Sequence, residues 1–296
     1  MSSRPSLPSF DYVRATSREH VVDLLRKHGK DVRLMSGGTD LLVRMRDGFL
    51  QPKVLLDIKH LPGMRNIVFD PSRGLTVGAA VTMNSLAVHP DVVAHYPLLA
   101  EAAHSVASYP IRNRATVGGN LCNCSPAADT APALLVLEGR FVICGPGGER
   151  EIPAEKFFLG PGKSAMAADE WMTAIRLPIP DAGAAGRYLK LGRNKAGDLA
   201  IVSVAAFGFP SRGTPSAYCF RLALGSVAPT PLRAFRAEQV LAADAPGEAT
   251  FARAAKEAMA AASPIDDVRA SAAYRRAMVH NLTEQALSEV WQGIRG

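Results

Sequence analysis

Apolar positions first recur at helical spacing near the start of the chain. Val21, Val22, Leu24 and Leu25 make one face, as an amphipathic helix requires. Thr16-Ser17-Arg18-Glu19 precedes it as a capping box: a hydroxyl accepts from one unpaired amide and Glu19 reaches back to another. Gly29 suits the position just past the helix end. A short strand is predicted over 32–35, then the turn Ser36-Gly37-Gly38-Thr39-Asp40, a helix over 41–46 and a buried strand over 54–58. Residues 66–69 and 75–79 flank a hairpin loop at 70–74. Residues 90–107 have helical composition, ended by Pro110. A second glycine-rich loop covers Arg112–Asn120, and Ser125-Pro126 offers an N-cap followed by proline in the first turn of another helix. Strands are predicted over 141–144 and 171–177. The stretch 178–186, punctuated by proline and glycine, is the expected boundary between domains at 1–180 (subdomains about 1–58 and 59–180) and 181–296. Beyond it come strand candidates at 188–191, 199–209 and 217–227, then alanine-rich helices at 248–262 and 270–292. Strands followed by helices suggest an α+β layer pair.

Composition narrows the class. The chain has 296 residues, 48% hydrophobic and 21% charged, consistent with about two folded domains and inconsistent with disorder throughout. No apolar run approaches the roughly 18 residues of a membrane span, and MSSRPSLPSF lacks a signal peptide's apolar core, so a cytoplasmic protein is expected. The net charge is +7, but the basic residues are dispersed, against a nucleic-acid groove. Four cysteines (Cys122, Cys124, Cys144, Cys219) are too few for a disulfide scaffold at this length.

Two loops dominate the candidate chemistry. Paired glycines let backbone approach a ligand closely, and successive amides with a helix start bind phosphate oxygens. Two such loops could clamp the diphosphate of a dinucleotide; two ordinary turns would look the same. Neither fits G-x-G-x-x-G or the P-loop, so the scaffold differs from both. Ser125 and Asp129 could touch a ribityl or phosphate chain, or simply cap a helix. Cys122 and Cys124, in an extended segment, would point to one side, but a metal would need more ligands nearby. Tyr188 and Lys190 share a strand face, where Lys190 could balance a reduced flavin or stand as a solvated edge charge.

In this setting the chain resembles the FAD-binding (medium) subunit of the molybdenum hydroxylases, the xanthine dehydrogenase and carbon monoxide dehydrogenase family. The resemblance rests on Arg33–Leu42, Ile111–Leu121, Ser125–Pro132, Phe158–Lys163, Lys190–Arg193 and Asp267–Arg276, in family order. It implies an α+β FAD-binding fold of the vanillyl-alcohol-oxidase type, in two α+β subdomains, plus a small α+β C-terminal domain. It implies non-covalent FAD held by Leu34, Met35, Ser36, Gly37, Gly38, Thr39, Asp40 and Leu41, by Thr116, Val117, Gly118, Gly119 and Asn120, and by Asp129 and Lys190, with Ser125 a weaker match. A molybdenum–pterin cofactor is then expected on a large partner subunit and two [2Fe–2S] clusters on a small one, in a dimer of heterotrimers. The flavin would pass electrons from a cluster to an external acceptor. The short passage from Asn120 to Asp129 leaves no room for the inserted [4Fe–4S] segment of the hydroxybenzoyl-CoA reductase branch. A self-contained flavin oxidase or dehydrogenase, or a non-catalytic nucleotide-binding subunit, are the alternatives.

Overall fold

The computed structural model describes residues 6–194 and 197–296. The chain opens as a parallel unit. Strands Asp11–Arg14, Val32–Met35 and Val54–Asp57 form a three-stranded sheet with the last in the centre. The helix Arg18–His28 crosses between the first two strands, and Leu41–Arg46 leads from the second towards the third. The central strand Val-Leu-Leu-Asp is buried at every position, as expected when both faces of a parallel strand are covered. Asp11–Arg14 has no buried position, so hydrophobicity did not announce it.

The first helix is capped differently from the expected box. Ser17 is the N-cap and accepts from the His20 amide, so position N3 holds His20 rather than Glu19. The His20 ring, not Glu19, reaches back, accepting from the Thr16 amide at 3.3 Å.

A five-stranded antiparallel sheet follows, built from Ile67–Asp70, Gly74–Gly78, Trp171–Leu177, Arg140–Gly145 and Gly148–Pro153 in that spatial order. The expected helix over 90–107 is two helices, Pro90–His95 and Pro97–His104. Pro97 lacks an amide to continue the first and disfavours helical backbone at Tyr96, so it opens the second. Pro110 likewise does not end a helix; it sits in the first turn of Tyr109–Arg112, where its missing N–H costs nothing. Ser125 is not a helix cap either. Its Oγ accepts from the Ala127 amide in a turn, and the helix begins at Thr130.

The last sheet, Ala185–Leu191, Val202–Pro210, Tyr218–Gly225 and Leu232–Arg233, is antiparallel in chain order. Its first strand begins inside the predicted boundary stretch. The strand Val202–Pro210 is buried along eight consecutive residues, and the alternation of its side chains explains this. Ala205, Phe207 and Phe209 join the core of the first two sheets. Val202, Val204 and Ala206 join a second core under the helices Phe235–Ala243, Glu248–Ala261 and Ala272–Arg295. The helix Phe235–Ala243 was missing from the pattern. It has only Ala237 and Leu241 buried, too little apolar surface for a clear stripe.

Arg275 fastens the second core from inside. It is almost fully buried and donates to the Ile201 carbonyl at 2.5 Å, the Ser226 carbonyl at 3.2 Å and Asp267 Oδ1 at 2.7 Å. The Arg269 guanidinium, then backbone amides and Arg275, hold the Asp267 carboxyl well below the usual carboxylate range. A depressed folded value contributes stability above an unfolded value of about 4 that is lost as pH falls. Arg275→Met is expected to cost about 3 kcal/mol at pH 7, and less at pH 3, in urea midpoints. Equal losses at both pH values would mean that Asp267 does not carry the effect.

Candidate functional site

The two glycine loops meet. A Cβ on Gly37 would overlap the Arg114 carbonyl oxygen and stand 3.2 Å from Ala115 Cα, so only glycine lets these backbones lie against each other. Beside that contact, Thr116 Oγ1 donates to Ser36 Oγ at 3.0 Å. Gly38 supports the first loop differently: its φ of +78° is left-handed backbone that side-chain-bearing residues avoid. Met35 ends the strand before the loop, with Leu34 preceding it. Leu41 opens the helix after it, and Asp40 is exposed at the junction.

Hydrogen bonding separates the roles of the loops. Among the described residues, the amides of Gly37, Gly38, Thr39 and Asp40 donate to no protein acceptor. Successive free amides flanking a left-handed residue are suited to bind an anion. The second loop is committed. Val117 N–H donates to the Val81 carbonyl at 3.0 Å and Gly118 N–H to the Ala79 carbonyl at 2.9 Å. Gly119 N–H donates to Thr116 Oγ1 at 3.2 Å, capping the helix Val117–Cys122. A Cβ on Gly118 would fall 2.6 Å from Ala79 Cβ. Gly118 therefore serves close packing on the segment 79–83, and the second loop contributes shape and placement while the first contributes donors. The segment 79–83 was not foreseen as part of the site. It acts through backbone carbonyls, which leave no residue-type signal.

A buried polar chain continues from the second loop. Thr130 Oγ1 donates to Asn120 Oδ1 at 2.8 Å. Next to Thr130, Asp129 Oδ2 accepts from Lys190 Nζ at 2.8 Å and Asp129 Oδ1 from the Tyr188 hydroxyl at 2.9 Å. Lys190 Nζ also donates to the Ser105 carbonyl at 2.9 Å. Asp129 is 4% exposed. Burial pushes its carboxyl up from the ordinary value, and Lys190 and Tyr188 pull it back. Burial, then the charge of Asp129, raises the Tyr188 phenol. Lys190 is thus no solvated edge charge: it ties the third sheet to the second loop. Tyr188 belongs with this group. Its place on the same strand face as Lys190 was legible; its hydrogen bond was not.

The structure therefore gathers 34–41 with 116–120, and Asp129 with Lys190, linked through Asn120. Ser125 lies on the intervening turn without a hydrogen bond to either loop among the described residues. Cys122 and Cys124 are not in an extended segment. Cys122 ends a helix and Cys124 has a φ of +47°, with its thiol donating to the Leu121 carbonyl at 3.3 Å. Burial pushes the Cys122 thiol up to about 12 and Cys124 up to about 11, which makes them poor nucleophiles.

The free amides and the glycine contact fit a dinucleotide's diphosphate. The family model described as the FAD binding domain in molybdopterin dehydrogenase matches residues 8–180, and that of the CO dehydrogenase flavoprotein C-terminal domain matches 187–290. The chain belongs to this family of FAD-binding flavoprotein subunits of molybdenum-dependent oxidoreductases. The carbon monoxide dehydrogenase medium chain of Hydrogenophaga pseudoflava is 37% identical, covering 96% of this chain and 98% of its own. A xanthine dehydrogenase FAD-binding subunit of Escherichia coli is 32% identical, covering 94% of each. A solved carbon monoxide dehydrogenase of Hydrogenophaga pseudoflava, lacking the Mo-pyranopterin moiety, superposes with a TM-score of 0.92 at 37% identity over 97% of this chain and 99% of that one. Quinoline 2-oxidoreductase from Pseudomonas putida superposes with a TM-score of 0.90 at 27% identity over 98% and 99%. The fold is the α+β FAD-binding fold, and the expected family assignment holds.

Proposed function

We propose that this chain is the FAD-carrying electron-transfer subunit of a molybdenum hydroxylase complex. It would receive electrons from [2Fe–2S] clusters on a small partner subunit, with substrate oxidised at a molybdenum–pterin cofactor on a large one. The observation that carries this reading is the contact of Gly37 with the Arg114 backbone, which brings the free amides of 37–40 against the second loop. Bound FAD supplies a redox centre that exchanges electrons singly or in pairs. The chain's residues bind and orient it. Amides of Gly37–Asp40 would meet the diphosphate beside Ser36, Leu34, Met35 and Leu41 would flank that loop, and Thr116–Asn120 would form the opposing wall. Asp129 and Lys190 set the local charge, with Ser125 on the adjoining turn. FAD is held non-covalently.

Two cores support a division into 1–180 and 181–296, and the separate three- and five-stranded sheets support subdomains about 1–58 and 59–180. No helix among the described residues is long and apolar enough to cross a membrane, and a cytoplasmic complex is proposed, assembled as a dimer of heterotrimers. The test is purification of the native complex. It is expected to be yellow, to release all of its FAD on acid or heat denaturation, and to carry a large molybdenum and a small iron–sulfur subunit in equal amount. A colourless chain, or a yellow one that oxidises substrate alone, overturns the proposal.

A further inference from the structure

Resting on that reading, we propose that Arg14, Arg65 and Arg114 form a capture rim for the cofactor. They draw the anionic diphosphate of the flavin dinucleotide to the free amides of the first glycine loop and set how fast it loads, without being the groups that hold it afterwards.

The rim follows from where the parallel sheet ends. Arg14, Asp57 and Met35 occupy the same last position on its three strands, and the glycine loop starts one residue beyond Met35. Ligands of parallel sheets sit beyond these carboxyl ends. Ile58 N–H donates to the Met35 carbonyl at 3.1 Å, so the chain leaving the central strand, with Lys59 and His60, starts beside the base of the loop. Arg114 joins from the second loop, since its carbonyl oxygen is the atom that Gly37 faces.

The charge of the rim is not cancelled locally. Asp57 is fully buried and accepts from the Tyr12 hydroxyl, the Lys59 ammonium and, at 3.1 Å, the Lys59 amide. Burial raises its carboxyl, but the hydrogen bonds from Lys59 and Tyr12 outweigh burial and hold it below the ordinary value. Asp57 is therefore ionised, and Lys59 neutralises it. His60 Nε2 stands 4.0 Å from the same carboxylate. The arginines surround this buried pair. The hydrogen bond to Asp57 raises the Tyr12 phenol, and the charges of Arg14 and Arg114 oppose it. Burial and then the charge of Arg14 lower the His60 imidazole, and Arg65 adds to that. Arg14, Arg65 and Arg114 are all exposed, and Asp57 is paired with Lys59 and His60 instead of with them. The other carboxylate on these segments is the exposed Asp40, so three guanidinium groups face one free acid.

Cations arranged in this way raise the encounter rate of an anionic ligand, and salt screens the effect. Exposed charges contribute little to stability, so removing these leaves the fold intact. The rim therefore acts on association, while the amides of 37–40 act on retention.

The test uses the full chain stripped of FAD, with FAD binding followed by rapid mixing. Arg14→Gln, Arg65→Gln, Arg114→Gln and the triple variant are compared with the wild type. Arg236→Gln, exposed on the helix Phe235–Ala243 of the last domain, is the control. The triple variant is expected to bind FAD roughly tenfold more slowly at about 50 mM salt, with unchanged dissociation rate and melting temperature. The difference is expected to close at about 500 mM salt. A loss carried by faster dissociation, a wild-type association rate indifferent to salt, or equal slowing in Arg236→Gln overturns the rim and leaves the FAD reading standing. A wild-type chain that takes up no FAD overturns both.

Discussion

Gly37→Ala is expected to empty the protein of FAD and to lower its stability by about 2–3 kcal/mol, the scale of inserting an atom into packed structure. The added carbon would occupy the space of the Arg114 carbonyl oxygen. Backbone on both sides is anchored, by the parallel strand before Gly37 and by the Met83 N–H to Ala115 carbonyl bond at 2.9 Å. The loops must separate, and the Thr116–Ser36 hydrogen bond goes with them. Gly38→Ala provides the contrast. Its added carbon meets only Leu42 and Met35 side-chain atoms at 3.5 Å, so its cost is backbone strain of about 1–2 kcal/mol, with part of the flavin retained. Flavin absorbance per protein, read with the melting temperature, separates the two. Full flavin occupancy in Gly37→Ala would show that the loops need not touch.

Lys190→Met is expected to be worse, at about 3–5 kcal/mol, because it leaves the Asp129 carboxylate buried without its cation. Tyr188 remains as a donor but carries no charge. Burial already raises the Asp129 carboxyl, and losing Lys190 raises it further. The folded state then binds a proton that the unfolded state releases near pH 4. Stability therefore falls as pH rises from about 4 through the raised folded value, and flattens above it. The urea midpoint of Lys190→Met is expected to drop between pH 5 and pH 8 by more than that of the wild type. Lys190→Met with Asp129→Asn removes the charge and should recover much of the loss at pH 8. A variant with the wild-type pH dependence would show that Lys190 does not compensate Asp129.

What the sequence disclosed depended on how each interaction is made. Gly37, Gly38 and Gly118 were legible because glycine is a residue-type mark of close approach, but three different reasons lay behind them. Gly37 faces the other loop, Gly38 needs its left-handed backbone, and Gly118 packs on Ala79. The pairing of Tyr188 and Lys190 on one face followed from strand alternation, whereas their common partner Asp129 lies 59 and 61 residues away in sequence, beyond the reach of local pattern. The apolar-rich stretch over 199–209 predicted a strand but did not reveal that its two faces serve two cores. Carbonyls at Ala79 and Val81 were invisible, since every residue carries one. Ser125-Pro126 misled because a serine–proline pair suits a tight turn as well as a helix start.

The unequal bonding of the two loops bears on how the apoprotein matures. One jaw of the clamp is finished by the polypeptide itself, its N–H groups at 117–120 taken up by neighbouring carbonyls and the Thr116 hydroxyl. The other has four N–H groups, on residues 37–40, that no protein acceptor among the described residues takes up. On the proposed binding mode, phosphate oxygens would complete the second jaw as the coenzyme loads. On that reading, newly made chains would fold first and be completed at this one place when their prosthetic group arrives.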